Sequence, residues 1–171
     1  MKNLRYLETL ASVSLMMSKY FLAISSILGW WLSIIGYILT AIFNAKIKLK
    51  IVVPVISGLA LLSVYGLYKW SYGIKGLQLL DLIIIGLSCI FAIILIIKEA
   101  RQRKPLWIFQ TITTITFSFA FIALGMKMEI GWYALLLGHI NNTYLYYQKK
   151  AYIIGVMQII SIVIVLVKIF G

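Results

Sequence analysis

The chain has 171 residues, 63% of them hydrophobic and only 12% charged, and sixteen Lys and Arg against four acids give a net charge of +12. Soluble domains are about half apolar and about a quarter charged, and no soluble core hides this much apolar surface. The composition excludes water-soluble enzymes, disulfide scaffolds and disordered tails, and it indicates an all-α integral membrane protein in a lipid bilayer.

In chain order, Lys2, Arg5 and the apolar run from Leu10 to Met17 imitate a signal peptide, but no small-x-small cleavage site follows and Lys19 breaks the run. Residues 1–19 are therefore expected to form an amphipathic interfacial helix. A crossing needs about 20 apolar residues. Nearly charge-free stretches supply six: Tyr20 to Ala45, Ile51 to Tyr68, Gly76 to Ile97 (interrupted by Asp81), Pro105 to Met126, Ile130 to Gln148 and Ala151 to Val167. Residues 20–98 and 99–171 then form two three-helix units, with loops too short for a soluble domain.

The basic residues lie in short runs between these stretches, as suits loops at anionic membrane surfaces. No basic helix face is long enough to bind nucleic acid. Six spans leave seven basic residues on the N-terminal side and nine on the other. That narrow majority favours both termini outside a bacterial inner membrane, and a seventh span at the N-terminus would overturn part of it. Cys89 is the single cysteine, so disulfides and cysteine-rich metal sites are excluded; His139, the single histidine, leaves almost nothing to build a catalytic metal site, and no cofactor is expected.

A shift of 79 positions aligns Tyr65, Tyr68, Ile74, Gly76, Ile83 and Ile85 with Tyr144, Tyr147, Ile153, Gly155, Ile162 and Ile164. Two three-span units joined without a linker span enter the membrane in opposite senses, which predicts an inverted repeat with a site at the repeat interface.

The pattern Tyr65-x-x-Tyr68, a basic residue, an aromatic and a loop glycine resembles the PnuC family of nicotinamide riboside transporters, as does Tyr144-Leu145-Tyr146-Tyr147 followed by Lys149, Lys150 and Tyr152. More broadly, both halves are similar to the three-helix units of SWEET, SemiSWEET and PQ-loop proteins. The resemblance implies facilitated transport of a small solute that is later trapped by phosphorylation. PnuC and SWEET proteins carry an additional linker span, which the six stretches do not show. In this respect the chain looks closer to the six-span YgjV-type proteins.

Polar residues inside a bilayer need a partner or a purpose. His139 falls at the midpoint of the fifth stretch, and Leu135, His139, Asn142 and Tyr146 share one helical face. These groups suit an uncharged polar ligand or, alternatively, hydrogen bonds between helices. Ser26, Trp30, Ser33, Tyr37, Thr40 and Asn44 form a second face in the first stretch. Trp30 and Trp31 either face a cavity, where an indole stacks on a flat ring, or belong to an interfacial belt. Gln158 lies near the middle of the sixth stretch. Asp81, the one acid expected below the interface, either couples a proton, pairs with Lys75 or reaches water.

The expected substrate-binding set is therefore Trp30, Trp31, Tyr37, Asn44, His139, Asn142 and Gln158, with Asp81 as the proton-coupling candidate. No paired acids, nucleophile motif or metal triad supports an enzyme, and no catalytic residue is expected. The expected function is transport of a small neutral or aromatic solute, vitamin-like or sugar-like, by rocking of two halves around a midplane site. The alternative is a non-transporting membrane scaffold that binds a partner. A six-span unit can work alone, and the sequence also allows a homo-oligomer.

Overall fold

A computed structural model describes residues 2–46, 52–74, 78–101, 107–148 and 152–171, and among these seven helices and no strand occur. They are α1 (Lys2–Ala23), α2 (Leu28–Lys46), α3 (Val52–Ser71), α4 (Leu79–Arg101), α5 (Trp107–Gly125), α6 (Ile130–Gln148) and α7 (Tyr152–Phe170). By length and composition, α2, α3, α5 and α7 are each apolar enough to cross a membrane. The all-α membrane class read from composition therefore holds.

The first break in the chain lies later than Lys19. α1 continues to Ala23, and the chain turns over residues 24–27 before α2 begins. Ser26 N–H donates to Phe21 O at 2.8 Å and Ser25 N–H to Leu22 O at 2.9 Å, with Ser25 at φ 58°. This is the paired hydrogen-bond pattern of a Schellman cap, which satisfies carbonyls that the helix end leaves open. α1 also packs into the bundle. Ala11, Ser12, Ser18, Lys19 and Leu22 are buried, and the helix packs on both α2 and α7. Small side chains on this face let the helix axes come close.

The same turn recurs between α5 and α6. Met128 N–H donates to Ala123 O at 2.8 Å and Lys127 N–H to Leu124 O at 3.0 Å, with Lys127 at φ 59°. Gly29, just after the first turn, and Gly131, just after the second, have matching surroundings. A Cβ on Gly29 would lie 2.6 Å from Leu22 Cγ and 2.8 Å from Ser18 O; on Gly131 it would lie 2.8 Å from Leu124 Cγ and 3.0 Å from Ala120 O. The two hairpins are thus related by a shift of 102 positions, which takes Gly29-Trp30 to Gly131-Trp132 and Gly36-Tyr37 to Gly138-His139. The shift of 79 expected from the sequence pairs α2 with α5, whereas these turns pair α1 with α5 and α2 with α6.

Helix neighbours follow the hairpin pairing. α1 packs on α2, α2 on α3, α5 on α6 and α6 on α7; α3 against α5 and α1 against α7 close the ring. α4 stands outside the ring and packs against α5. An aromatic cluster fills one part of the interior. Trp30 is fully buried there, with its ring edge-to-face with Trp70 and Phe121 at centroid distances of 5.8 Å each.

Replacing Gly29 or Gly131 with Ala should destabilise the protein by about 1–3 kcal/mol, because the new methyl meets backbone as well as side chain. Gly86→Ala, where nothing lies within 4 Å, should be neutral or stabilising. Thermal unfolding of the three variants in detergent checks this ordering.

Candidate functional site

Between the two hairpins lies a cavity of about 120 Å³, lined from α1, α2, α3, α5, α6 and α7. One water needs roughly 10–15 Å³ by the same measure, so the space holds several waters or part of a small solute. Several wall residues lie at a common spacing. Glu8 and Gln110, Ser12 and Thr114, Leu15 and Phe117, Tyr37 and His139, Thr40 and Asn142, and Ile56 and Gln158 are all in the wall, each pair separated by the same 102 positions.

Several polar wall residues bond back to their own helix. Thr40 Oγ1 donates to Gly36 O at 2.7 Å, Thr114 Oγ1 to Gln110 O at 2.9 Å and Ser161 Oγ to Met157 O at 3.0 Å. Such bonds satisfy a hydroxyl without water. His139 bonds across helices instead, placing Nδ1 2.5 Å from Gln158 Oε1. With that amide oxygen accepting, Nδ1 carries the proton and Nε2 presents a lone pair. Nε2 is buried and has no partner. The His139 ring is held edge-on to Phe117 at 5.0 Å. Next to the wall, Asn141 Nδ2 donates to Phe109 O at 2.6 Å and to Thr113 Oγ1 at 2.5 Å, tying α6 to α5.

Of the residues singled out from sequence, Tyr37, His139, Asn142 and Gln158 meet in the wall. Trp30 lies outside it, in the aromatic cluster, where a Cβ on Gly66 would come within 2.4 Å of its ring. Trp31 is 52% exposed on the outer side of α2. Asn44 is buried but spends its amide on Thr40 O at 2.8 Å.

Asp81 lies outside the cavity wall, at the start of α4. Its Oδ1 accepts from Tyr65 Oη at 2.5 Å, while Oδ2 accepts from Lys69 Nζ at 2.8 Å and from Gln78 N–H at 2.7 Å. The carboxylate thus caps α4 from its third position and joins it to α3. Lys75, the partner expected from sequence, lies outside the described residues.

A family model for nicotinamide mononucleotide transporters matches residues 5–171, nearly the whole chain. The chain belongs to this family. The transporter is therefore a multi-pass membrane protein that carries a nicotinamide-related solute, and it is not an enzyme. The resemblance to PnuC proteins seen in the tyrosine motifs is borne out. No curated relative and no solved structure matches the transporter significantly.

Sequence reasoning missed Lys19 and Glu8 of the wall, as well as Gln110 and Thr114. The signal that finds their helices is the pattern Gly-Trp-aromatic followed by four residues and Gly, at Gly29 to Gly36 and again at Gly131 to Gly138. It marks two hairpins with similar turns, one led into by α1 and the other by α5.

Breaking the buried Lys69–Asp81 pair by Asp81→Asn should cost about 3–5 kcal/mol, since it removes a carboxylate facing a buried ammonium. A lowered unfolding temperature, with solute affinity of the folded fraction retained, is the expected result.

Proposed function

We propose that the transporter carries its nicotinamide-related solute through the cavity between the two hairpins, with α1–α3 and α5–α7 acting as two similar halves and α4 joining them. The observation that carries this reading is the buried, unpartnered Nε2 of His139 in a wall of aromatic and amide side chains. A buried acceptor is costly unless a water or a ligand supplies the donor, and a cavity of this size leaves room for either. A nicotinamide riboside offers such donors in its carboxamide and ribose hydroxyls. Tyr37 and Phe117 provide ring faces and edges for its flat ring. The Gln158 amide nitrogen and Asn142 provide further hydrogen-bonding groups.

Transport requires the cavity to open to each side in turn, and two halves of like construction suit a rocking motion about a site between them. Gly36 and Gly138 are at equivalent places in α2 and α6, next to Tyr37 and His139, so a shift of either helix moves a wall residue directly.

If all seven helices cross, the basic residues sort unevenly. Lys2, Arg5, Lys46, Lys48, Lys50, Lys98, Arg101, Arg103, Lys104, Lys149 and Lys150 fall on the N-terminal side, against Lys75, Lys127 and Lys168 on the other, while Lys19 and Lys69 are buried. This distribution supports a cytoplasmic N-terminus, opposite to the orientation that six spans suggest. The 22 residues of α1 extend about 33 Å, enough for a crossing.

Proteoliposomes should take up labelled nicotinamide riboside saturably, and His139→Ala should raise the half-saturating concentration about tenfold, as for loss of one buried hydrogen bond to a ligand. Leu137→Ala, on the outward face of the same helix, should leave uptake unchanged. Saturable uptake that is identical in wild type and His139→Ala would remove His139 from the solute path.

A further inference from the structure

Among the described residues, one deeply buried lysine has no counter-charge. Lys19 is 2% exposed, and no described carboxylate lies within ion-pair distance of it. Its ammonium sits over the rings of Tyr37 and Phe121, at 5.4 and 5.7 Å from their centroids. Its one hydrogen bond among the described residues is to Ser18 Oγ, at a long 3.3 Å. Ring faces soften the burial of a cation without neutralising it. Lys69, the other deeply buried lysine, is met by Asp81 at 2.8 Å.

Two further buried groups beside Lys19 lack a partner, Trp30 Nε1 and Ser33 Oγ. Gly29, Ser33 and Gly36 share the face of α2 that lies on α1. A Cβ on Gly29 would meet Ser18 O at 2.8 Å, and one on Gly36 would meet the Leu15 side chain at 2.7 Å. Ser33 therefore stands opposite the turn of α1 that carries Ser18 and Lys19. Trp30, one turn before Ser33, packs edge-to-face with Phe121, the same ring that the Lys19 ammonium covers. The ammonium, the hydroxyl and the indole are thus gathered where α1, α2 and α5 meet. Lys19 also borders the cavity, whereas Ser33 and Trp30 lie outside its wall.

Close packing of a hairpin does not call for these polar groups. At 102 positions after Ser18, Lys19 and Ser33 stand Ala120, Phe121 and Leu135, all three fully buried. The second hairpin makes the same close approach, with Gly131 against Leu124 and Ala120, from apolar side chains alone.

We infer that Lys19, Ser33 and Trp30 bind a small inorganic anion of chloride size, the counter-ion of Lys19, at the junction of α1, α2 and α5. An ammonium and an indole N–H can only donate, so their ligand must accept from both, and the Ser33 hydroxyl adds a third donor. Water would accept those bonds but brings two protons of its own and no charge. A halide brings lone pairs alone and neutralises the lysine. A monatomic ion suits a place whose hydroxyl and indole are closed off from the larger cavity. The inference is independent of which solute that cavity carries.

The test is thermal unfolding of the purified full-length protein in detergent, without solute, in chloride, bromide or gluconate salts of equal ionic strength. Wild type should unfold about 3–6 °C higher in about 0.3 M chloride or bromide than in gluconate, with a saturable dependence on halide. Lys19→Met should lose the difference and be at least as stable in gluconate as wild type, because it removes a buried charge that gluconate leaves unpaired. Ser33→Ala should need about tenfold more chloride for half of the shift, as for loss of one hydrogen bond to a charged ligand. Lys168→Met, on the exposed side of α7, should keep the full shift. Equal unfolding temperatures of wild type in halide and gluconate overturn the inference, whether or not any variant folds. A shift that survives in Lys19→Met, that is undiminished in Ser33→Ala, or that disappears in Lys168→Met overturns it as well. So does stabilisation by inorganic phosphate with halide inert, which would give Lys19 to a larger anion.

Discussion

In hydrocarbon a polar side chain has no water to turn to, so it must meet another polar group, its own backbone or an enclosed wet space. This constraint organises the bundle. Hydroxyls on the helices return to carbonyls one turn back, as Thr40, Ser63, Thr114 and Ser161 do. Asn141 spans from α6 to α5. Lys69 and Asp81 neutralise each other between α3 and the start of α4. The free nitrogen of His139 borders the cavity together with Lys19 and Glu8, while Trp30 Nε1 and Ser33 Oγ are buried without a partner away from it.

The cavity exists because the hairpins stop short of filling the space between them. Each hairpin is tightened by a glycine at its turn, Gly29 against Leu22 and Gly131 against Leu124, so that α1 lies close on α2 and α5 close on α6. Near the first turn the gap between hairpins is filled by Trp30, Trp70 and Phe121. Farther along, the facing residues are Thr40, Thr114, Asn142 and Ser161, too small to meet across the centre. Aromatic bulk at one level and small polar residues at the next thus produce a sealed layer beside an open one.

Wall residues 102 positions apart are in part alike and in part different in chemistry. Tyr37 stands 102 positions before His139 and Ile56 the same distance before Gln158, so the histidine–glutamine bond has no equivalent at Tyr37 and Ile56. Lys19 is matched by Phe121, and its ammonium rests on that very ring. The hydrogen-bonding groups of the wall come mainly from α6 and α7 and its charged groups from α1.

Composition and periodicity, both local properties, were sufficient for the class of the protein and for the inward faces of its helices. Of the face read as Ser26, Trp30, Ser33, Tyr37, Thr40 and Asn44, the last five are buried on α2 while Ser26 lies half-buried in the turn before it, and the mid-span placement of His139 and Gln158 brought two true neighbours into the same set. Partners are not a local property. That Trp30 rests on Gly66 while Tyr37, two turns on, borders the cavity depends on what α3 and α5 place opposite each turn of α2. Asp81 reads as a lone acid until Tyr65 and Lys69 are brought to it. Lys19 reads in sequence as the charge that ends an apolar run. Only the packing of α1 against α2 and α7, which removes water from that face, turns it into a buried cation beside an open space.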